Sequence, residues 1–398
     1  MFDKGNPSHY LTIIISTIGL QMKITRYKVL IAFLCSLILL CTACLPTPTA
    51  PVVSTTGTPG GSLSWLQVYF TDPNPPDNLS NGIDRFVIQV LNAAQHSIDV
   101  ASFDFNLSSV TTALVNASQR GVKVRVVLDL VNGTHELKAS ESTDRQAFDS
   151  LQTLKAAHIR VVDGGRSNGL MHDKMIIVDG VTLFMGSWNM SYNDTFRNNN
   201  NLLDITDPSL IANYQAKFDE LFVDKHFGTK AQVGALRPRL SIDNIQVENY
   251  FSPVDEVMSK LIALVNSAQK SIRVVAFTYT DTDLAGAMIT QYKAGLRVEG
   301  VIESRGATRG ALVPLFCAGL PVKMDGNKYT MHHKVIIIDD SIVVTGSFNF
   351  TQSADTANDD NVLIIHNPAI AGLYNQEFDR VNSIAKTPTS SDFTCNNK

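Results

Sequence analysis

The sequence predicts an α/β protein in which mixed β-sheets are flanked by helices on both faces, built as two similar halves. Segments of helical and strand character alternate along the chain. The predicted strands, among them 124–130, 175–178 and 335–338, are apolar throughout, as expected for sheets covered on both faces. One long repeat occurs once in each half, and two copies are too few for a solenoid. A duplicated domain packed about a pseudo-two-fold axis is therefore the expected architecture.

The length and composition of the chain limit the classes of function. With 398 residues the chain can form two domains, each with its own core. Its 44% hydrophobic and 18% charged residues are typical of a folded protein. The net charge of −4 provides no overall attraction for nucleic acid, although a local basic groove stays compatible with it. Composition therefore argues mildly against a nucleic-acid-binding protein.

The N-terminal region, residues 1–44, has the features of an export signal that starts at Met22. Cationic residues precede the apolar run Val29–Leu40, which is too short to span a membrane comfortably. Small residues then precede Cys44, as in a bacterial lipoprotein signal, although Cys41 stands where that signal usually has leucine. We expect an exported protein of the bacterial cell envelope, either a membrane lipoprotein lipidated at Cys44 or a secreted protein; an uncleaved anchor is the alternative.

The segment that follows, residues 45–62, is rich in Pro, Thr, Gly and Ser. Such a segment cannot bury a core and suits a flexible linker between a membrane surface and a folded body. Farther along the chain, Cys317 and Cys395 can pair in an oxidising compartment, although a single candidate pair is a weak signal.

The internal repeat indicates the domain boundaries. The segment Leu91–Phe105 matches Val265–Tyr279, and Asp129 and Glu303 occupy matching strand ends as candidate supporting groups, all 174 positions apart. Later motifs are 160 positions apart, so the first half has about fourteen extra residues, which we place in a loop or lid around 132–145. The predicted regions are a first domain (63–225), a linker (226–246), a second domain (247–384) and a tail (385–398).

Each half contains one copy of a shared motif: His-x-Lys, an apolar run, Asp, a second apolar run and Gly-Ser-x-Asn. The copies are MHDKMIIVDGVTLFMGSWNMS (171–191) and MHHKVIIIDDSIVVTGSFNFT (331–351). The matching positions are His172 and His332, Lys174 and Lys334, Asp179 and Asp339, Ser187 and Ser347, and Asn189 and Asn349. Residues two apart on a strand share a face, so the His and Lys of each copy are expected to point the same way.

Each copy is expected to form a β-hairpin. Asp179-Gly180 favours a tight turn, and Asp339 occupies the same corner in the second copy. The return strand carries Ser187 and Asn189 back beside the histidine, and the preceding glycine allows close approach of backbone and ligand. Asp179 and Asp339 complete the candidate catalytic set, but because Asp is common in turns we expect them to support the site rather than take part in the chemistry.

This set of side chains suits a phosphoryl group. Lys and Asn can hold the phosphoryl oxygens, where charge collects in the transition state, while His can attack phosphorus or transfer a proton. Double displacement at a phosphodiester needs two histidines, and two motifs facing each other would supply both. A single His-x-Lys would more often be structural. The adjacent His332 and His333 point to opposite faces and a lysine would repel a cation, so we expect no metal and no cofactor.

The paired motifs resemble the HKD motifs of the phospholipase D superfamily, and the resemblance extends over nearly all of residues 63–384. It implies two similar phospholipase D-like domains that share one active site. It also implies a metal-independent phosphodiesterase that forms a covalent phosphohistidine, which is released by water or by transfer to another alcohol. Because both motifs lie in one chain, a monomer is expected.

The family usually has an acidic residue after each Gly-Ser-x-Asn that orients a catalytic histidine, often that of the other half. Asp360 matches this position in the second half, whereas the first half has Asn200 and no acid in register. If pairing crosses between halves, Asp360 supports His172 as the nucleophile and His332 protonates the leaving oxygen. If pairing stays within halves, the roles are reversed. We favour the crossed arrangement.

The motifs define the chemistry but not the substrate. Expected export to a membrane surface favours a phospholipid, hydrolysed to phosphatidic acid and a free head group. The compact domains and the sequence GSFNFT resemble the small bacterial nuclease branch, so an endonuclease acting on DNA or RNA is the alternative. A catalytically degenerate binding or scaffold protein is a third interpretation, disfavoured because both His, both Lys and both Asn are present.

Overall fold

The structure, a computed structural model, describes residues 63–143, 145–389, 392–393 and 395. The described residues belong to one compact unit. The predicted export signal with Met22 and Cys44, and the predicted linker 45–62, lie outside them. Across the described ranges, no helix has the length and hydropathy needed to cross a membrane.

The first half (63–225) is built on one large mixed sheet. Its strands are β1 (Leu66–Phe70), β2 (Ser97–Ser102), β3 (Lys123–Leu128), β4 (Glu136–Leu137), β5 (Phe148–Asp149), β6 (Arg160–Asp163), β7 (Met175–Val178), β8 (Thr182–Gly186) and β9 (Asn201–Ile205). Seven of them form the sheet in the order β1-β9-β8-β7-β2-β3-β6, and β4 pairs with β5 in a separate ribbon. Strands β2, β3 and β6 run parallel, and the other neighbours are antiparallel.

The second half repeats this sheet. Its strands are β10 (Arg239–Ile242), β11 (Ile245–Ser252), β12 (Ser271–Ala276), β13 (Arg297–Ile302), β14 (Val322–Met324), β15 (Lys334–Ile338), β16 (Ile342–Gly346) and β17 (Asp360–His366). The order is β10-β11-β17-β16-β15-β12-β13-β14, with only the β12-β13-β14 neighbours parallel. Apart from the added edge strand β10, order and direction match the first sheet strand by strand, which confirms the predicted duplication.

Helices cover both faces of each sheet, as predicted. They are α1 (Asp84–Ala93), α2 (Ser108–Gln119), α3 (Ser150–Ala156), α4 (Tyr192–Phe196), α5 (Pro208–Asp219), α6 (Val257–Asn266), α7 (Thr282–Lys293), α8 (Leu312–Cys317), α9 (Gln352–Thr356) and α10 (Pro368–Ile384). Short 3₁₀ segments occur at Leu79–Asn81, Gly228–Lys230 and Ala307–Arg309, and a π-helical segment at Glu220–Asp224. Helices α5 and α10 each begin with Pro after an Asp or Asn whose side chain caps the first turn.

One hydrophobic core lies between the two sheets and draws on both halves. Met175 and Tyr214 of the first half share it with Val335 and Tyr374 of the second, so α5 and α10 lie on the inner faces of the sheets. Separate cores beneath α1–α3 and α6–α8 cover the outer faces. Since the strands are apolar on both sides, they pack against both layers.

Asp179 and Asp339 lie at the turns of the β7–β8 and β15–β16 hairpins. Asp179 and Gly180 both have positive φ, and the Val181 N–H closes the turn onto the Val178 carbonyl at 3.0 Å. Each aspartate accepts three successive backbone N–H groups at the start of the neighbouring strand, those of Gln95, His96 and Ser97 for Asp179 and of Gln269, Lys270 and Ser271 for Asp339.

These turns lie at the opposite end of each strand from the motif histidine. Asp179 lies seven positions after His172, which corresponds to about 20 Å of extended chain. The inclusion of Asp179 and Asp339 in the candidate catalytic set is therefore wrong. Their role in the structure is to fasten each hairpin to the adjacent strand, which is what their turn position suggested.

The predicted linker and tail are more ordered than the sequence indicated. Residues 239–242, placed in the linker because of nearby Arg-Pro-Arg, form β10, and Asp243 and Asn244 make the positive-φ turn into β11. In the predicted tail, Lys386 exchanges two backbone hydrogen bonds with Met324, each 2.8 Å long. Farther on, Cys395 forms a disulfide with Cys317, the pairing that the sequence left open.

Replacement of Asp339 by Ala should destabilise the protein without direct damage to the motif histidine and lysine. Loss of the three hydrogen bonds that Asp339 accepts from the backbone at the start of β12 is expected to cost about 1–3 kcal/mol in the free energy of unfolding, measured by urea denaturation. The neighbouring Asp340→Ala is the control, because the contacts of the Asp340 carboxylate are with side chains: it accepts a hydrogen bond from Asn375 and lies 3.6 Å from Arg297 Nη2. Equal stability of the two variants would contradict the fastening role.

Candidate active site

Backbone hydrogen bonds join each motif to the opposite half. The His172 N–H donates to the Asp359 carbonyl at 2.9 Å, and the Asp359 N–H donates back to the Leu170 carbonyl at the same distance. In the other motif, the His332 N–H donates to the Asn199 carbonyl at 2.9 Å, and the Asn199 N–H is bonded in the same reciprocal way. The two histidines are thereby brought to one seam between the halves.

The side chains of the two histidines are paired across that seam. His172 Nδ1 lies 2.6 Å from Asp360 Oδ1, and His332 Nδ1 lies 2.9 Å from Asn200 Oδ1. The pairing crosses between halves, the arrangement favoured from the sequence. When Nδ1–H donates to Asp360 in the neutral ring, Nε2 of His172 carries the lone pair that a nucleophile or base needs.

The two motif serines lie behind the histidines and hold their partners. The Ser347 hydroxyl donates to Asp360 Oδ1 at 2.6 Å, and the Ser187 hydroxyl donates to Asn200 Oδ1 at 2.9 Å. Asn200 therefore occupies the same place as Asp360, with an amide in place of the carboxylate. The serines therefore support the site by holding the partners of the histidines, which is the role that the sequence predicted for them.

The two motif lysines are buried next to their own histidines. Lys174 Nζ donates to the His172 carbonyl at 2.8 Å, and Lys334 Nζ donates to the His332 carbonyl at 2.7 Å. Burial lowers the pKa of Lys174, and burial together with the charge of Lys174 lowers that of Lys334 well below its usual range. An ammonium has three donors, so each lysine retains capacity for a phosphoryl oxygen.

Two phenylalanines that sequence reasoning missed flank the histidines. The Phe103 ring lies 5.3 Å from the His172 ring, and the Phe277 ring lies 4.7 Å from the His332 ring, between centroids. Lys174 Nζ and Lys334 Nζ lie 5.8 Å and 4.8 Å from the same two ring centroids. Both phenylalanines are half-buried. Phe103 and Phe277 occupy equivalent positions at the ends of the repeated strands, and this equivalence could have identified them from the sequence.

The two motif asparagines have different surroundings. The backbone N–H and Nδ2 of Asn189 donate to Asp194 Oδ2 at 2.9 and 2.7 Å. Asn349 Oδ1 is buried and has no hydrogen-bond partner within the described part of the chain. The position that matches Asp194 in the second half is Ala354, so the second asparagine is the one open to a ligand.

The candidate supporting acids Asp129 and Glu303 bind the backbone just before each histidine. Asp129 Oδ2 accepts the Met171 N–H at 3.1 Å, and Glu303 Oε2 accepts the Met331 N–H at 2.7 Å. Both carboxylates are buried. They fix the start of each motif strand at equivalent positions in the two halves. This is the supporting role predicted for them.

Burial dominates the electrostatics of the histidines. It lowers the pKa of His172, an effect that Asp360 only partly offsets. It lowers the pKa of His332 well below the usual range, and the positive charges of Lys334 and Lys174 act in the same direction. Burial alone would raise the pKa of Asp360, but His172 and Lys174 outweigh it and hold that pKa below its ordinary value. A neutral His172 therefore faces an ionised Asp360.

The middle residue of each His-x-Lys points into the core instead. His333 Nε2 lies 2.7 Å from Glu377 Oε1, and Asp173 Oδ1 accepts a hydrogen bond from Asn361 Nδ2 at 2.7 Å. Burial raises the pKa of Asp173 to about 7. Within the described ranges, no cluster of three or more His, Cys, Asp or Glu side chains is arranged to hold a metal ion.

Known proteins are similar to this chain in sequence and in fold. A family model described as "Cardiolipin synthase, PLD-like domain" matches residues 87–222 and 261–382. A mitochondrial cardiolipin hydrolase from Xenopus tropicalis is 34% identical over 129 residues, which are 32% of this chain and 61% of that protein. A phospholipase D from Rickettsia conorii is 33% identical over 153 residues, which are 38% of this chain and 67% of that protein.

Among solved structures, the phosphatidylserine synthase of Haemophilus influenzae matches 82% of this chain and 88% of its own, with a TM-score of 0.64 and 13% identity. At that identity the match shows a common fold. The chain spans about 60% of the length of the cardiolipin hydrolases that it matches. Because the family model matches both halves of the chain, this protein belongs to the PLD-like domain family of the phospholipase D superfamily.

Proposed function

We propose that this protein is a phospholipase D-type phosphodiesterase that hydrolyses phospholipids through a covalent phosphohistidine. The observation that carries the proposal is the seam itself. It brings together one histidine hydrogen-bonded to a carboxylate, one histidine hydrogen-bonded to an amide, and a buried lysine beside each. Double displacement at phosphorus needs a nucleophile and a proton donor, and the seam contains two histidines whose different environments suit these two roles.

In the first step Nε2 of His172 attacks phosphorus, and the bond from phosphorus to the oxygen of the head-group alcohol breaks. His332 in its protonated form gives a proton to that oxygen, so the alcohol leaves neutral. Lys174 and Lys334 offset the charge that collects on the phosphoryl oxygens. Asp360 stabilises the positive charge that His172 acquires on attack.

In the second step a water molecule attacks the phosphohistidine. His332, now neutral, accepts a proton from this water, and the bond between phosphorus and His172 Nε2 breaks. The products are phosphatidic acid and the two histidines in their starting protonation states. An alcohol in place of the water would give transfer rather than hydrolysis by the same proton movements.

A phospholipid is the proposed substrate for two reasons. The similar proteins from Xenopus and Rickettsia are named for cardiolipin hydrolysis and for phospholipase D activity. The chain has a net charge of −4, which does not favour a polyanion such as DNA or RNA. Endonuclease activity and a scaffold without activity are the other outcomes of the substrate test below.

We also propose that the protein acts as a monomer in the cell envelope, held at the membrane by a lipid on Cys44. The export-type sequence from Met22 supports this location. The disulfide between Cys317 and Cys395 supports an oxidising compartment, because disulfides persist mainly outside the cytosol. Both motifs lie in one chain, so a complete site needs no second copy.

Replacement of either motif histidine by Ala should abolish turnover, with a loss of about 10³-fold or more for each variant. Rapid quenching of the native protein with ³²P-labelled phospholipid should leave the label on His172. The His332→Ala variant should accumulate that label, since its intermediate lacks the base for hydrolysis. Normal turnover by either variant, or a label on His332, would contradict the assigned roles.

The pH dependence of kcat/KM should be bell-shaped, with its maximum below 6.5, the ordinary histidine pKa. A lowered pKa means that His172 becomes a neutral nucleophile already at acidic pH, while His332 loses its donor proton early. The bound phosphodiester anion should raise the pKa of both histidines, so the pH profile of kcat should lie at higher pH than that of kcat/KM. A soluble short-chain phosphatidylcholine is the substrate for this measurement; an alkaline optimum of kcat/KM would contradict the electrostatic account.

A three-substrate assay distinguishes the function classes. Purified residues 45–398 are incubated with phosphatidylcholine vesicles, plasmid DNA and bis-p-nitrophenyl phosphate, each with and without EDTA. We expect cleavage of the phospholipid and of the activated diester, and no effect of EDTA. Cleavage of DNA instead of lipid would identify a nuclease, and cleavage of none of the three would identify a scaffold.

A further inference from the structure

We propose that Asp194 is a positioning residue that provides His332 with the carboxylate missing at Asn200 and so allows His332 to carry the proton that it donates. This inference rests on the proposed function, in which His332 acts as the general acid. Asp194 lies six residues before Asn200, on the short helix α4 that follows the first motif.

The geometry places the Asp194 carboxylate beside the ring of His332. Asp194 Oδ2 lies 3.5 Å from His332 Nδ1, across the seam between the halves. The Asp194 side chain is buried, with 3% of the residue exposed. This separation is longer than that of a direct hydrogen bond, so the carboxylate acts on the ring as a nearby charge.

The Asn200 side chain connects the His332 ring to the backbone of Asp194. Its Oδ1 accepts from His332 Nδ1 at 2.9 Å, and its Nδ2 donates to the Asp194 carbonyl at 3.1 Å. The amide can orient the imidazole, but it has no charge to offset an imidazolium. The Asp194 carboxylate, 3.5 Å from the His332 ring nitrogen, carries that charge.

Comparison of the halves shows a reciprocal exchange. The first half has Asp194 and Asn200, and the matching positions of the second half are Ala354 and Asp360. Each half therefore has one carboxylate that reaches a histidine of the other half, on α4 in the first and at the start of β17 in the second. The acid that seems absent from the first motif is displaced by six residues rather than lost.

Asp194 also balances the charge of the site. The groups that face His332 and lower its pKa, besides burial, are Lys334, Lys174, His172 and His333. Asp194 and Asp360 partly offset the effect of burial on Lys174 and Lys334, because their negative charges raise the pKa of both lysines. Of these two carboxylates, Asp360 is hydrogen-bonded to His172, whereas Asp194 is the one paired with the His332 ring. Without Asp194, a proton on that ring would lose the carboxylate paired with it.

A purely structural role for Asp194 makes a different prediction. Asp194 holds Asn189 through two hydrogen bonds to Oδ2 and accepts a third bond at Oδ1 from Asn198 Nδ2, 2.6 Å long. If this scaffold were its whole contribution, a carboxylate placed elsewhere would not replace it. The second half suggests where to place one, since Asp360 serves His172 beside an alanine at position 354.

The test compares Asp194→Ala with the double variant Asp194→Ala/Asn200→Asp, which gives the first half the residues of the second. For short-chain phosphatidylcholine, Asp194→Ala should lower kcat by about 10–100-fold, in the range of general-acid effects, and move the alkaline limb of the pH profile to lower pH. The double variant should recover most of the rate and return the limb. Bis-p-nitrophenyl phosphate has a leaving group that needs little protonation, so its hydrolysis should change much less.

Asp99→Asn is the matched control. Asp99 is equally buried and is paired with Arg125 at 2.6 Å, at the end of β2 away from the motif histidines. This variant should lower the melting temperature without a shift of the pH profile. Melting curves of all variants show which of them are folded.

The outcomes separate the two proposals. If Asp194→Asn, which keeps a hydrogen-bond acceptor for Asn189, is fully active with an unshifted profile, the inference is overturned. The same follows if the double variant stays as impaired as Asp194→Ala, or if both substrates lose rate equally. A native protein that hydrolyses neither substrate contradicts the proposed function instead.

Discussion

The active site depends on the two reciprocal pairs of backbone hydrogen bonds that join each motif to the opposite half. Because the His172 backbone is bonded to Asp359, the next side chain along the chain, Asp360, meets the His172 ring. The His332 backbone is bonded to Asn199 in the same way, which brings Asn200 to its ring. A slip of one residue in either bridge would turn the partner to the other face. Neither half alone can therefore hold a histidine with its partner.

Deeper in the core, buried polar side chains also fix the position of one sheet relative to the other. Asn201 Nδ2 donates to the Tyr374 hydroxyl at 3.0 Å, and the Tyr214 hydroxyl donates to Asn361 Oδ1 at 3.2 Å, so equivalent residues exchange partners across the seam. Misalignment would leave these groups without partners in an apolar surrounding, which is costly. Asn201 and Asn361 follow directly after Asn200 and Asp360 in the chain. The network that aligns the sheets therefore also aligns the site.

Sequence reasoning reached the features that depend on local pattern and on duplication. The mixed sheets and the hairpins followed from strand periodicity and from comparison of the halves, whereas the crossed pairing of His172 was favoured because of the family resemblance. Asp179 was misplaced because a turn aspartate and a catalytic aspartate look alike in a motif. Asp194 and Phe103 were missed because their approach to the histidines depends on how two distant segments pack. Strand β10 was missed because its edge position and basic flank resemble a linker.

The duplicated sheets have an evolutionary consequence. In a dimer of identical chains every substitution enters the shared site twice, so nucleophile and proton donor must keep the same neighbours. Fusion of two copies into one chain removes that constraint, because each copy can then change alone. The amide at position 200 and the carboxylate at position 360 are a difference that a dimer of identical chains cannot encode. The fused chain can thus adapt each histidine to one of the two roles in the proposed reaction.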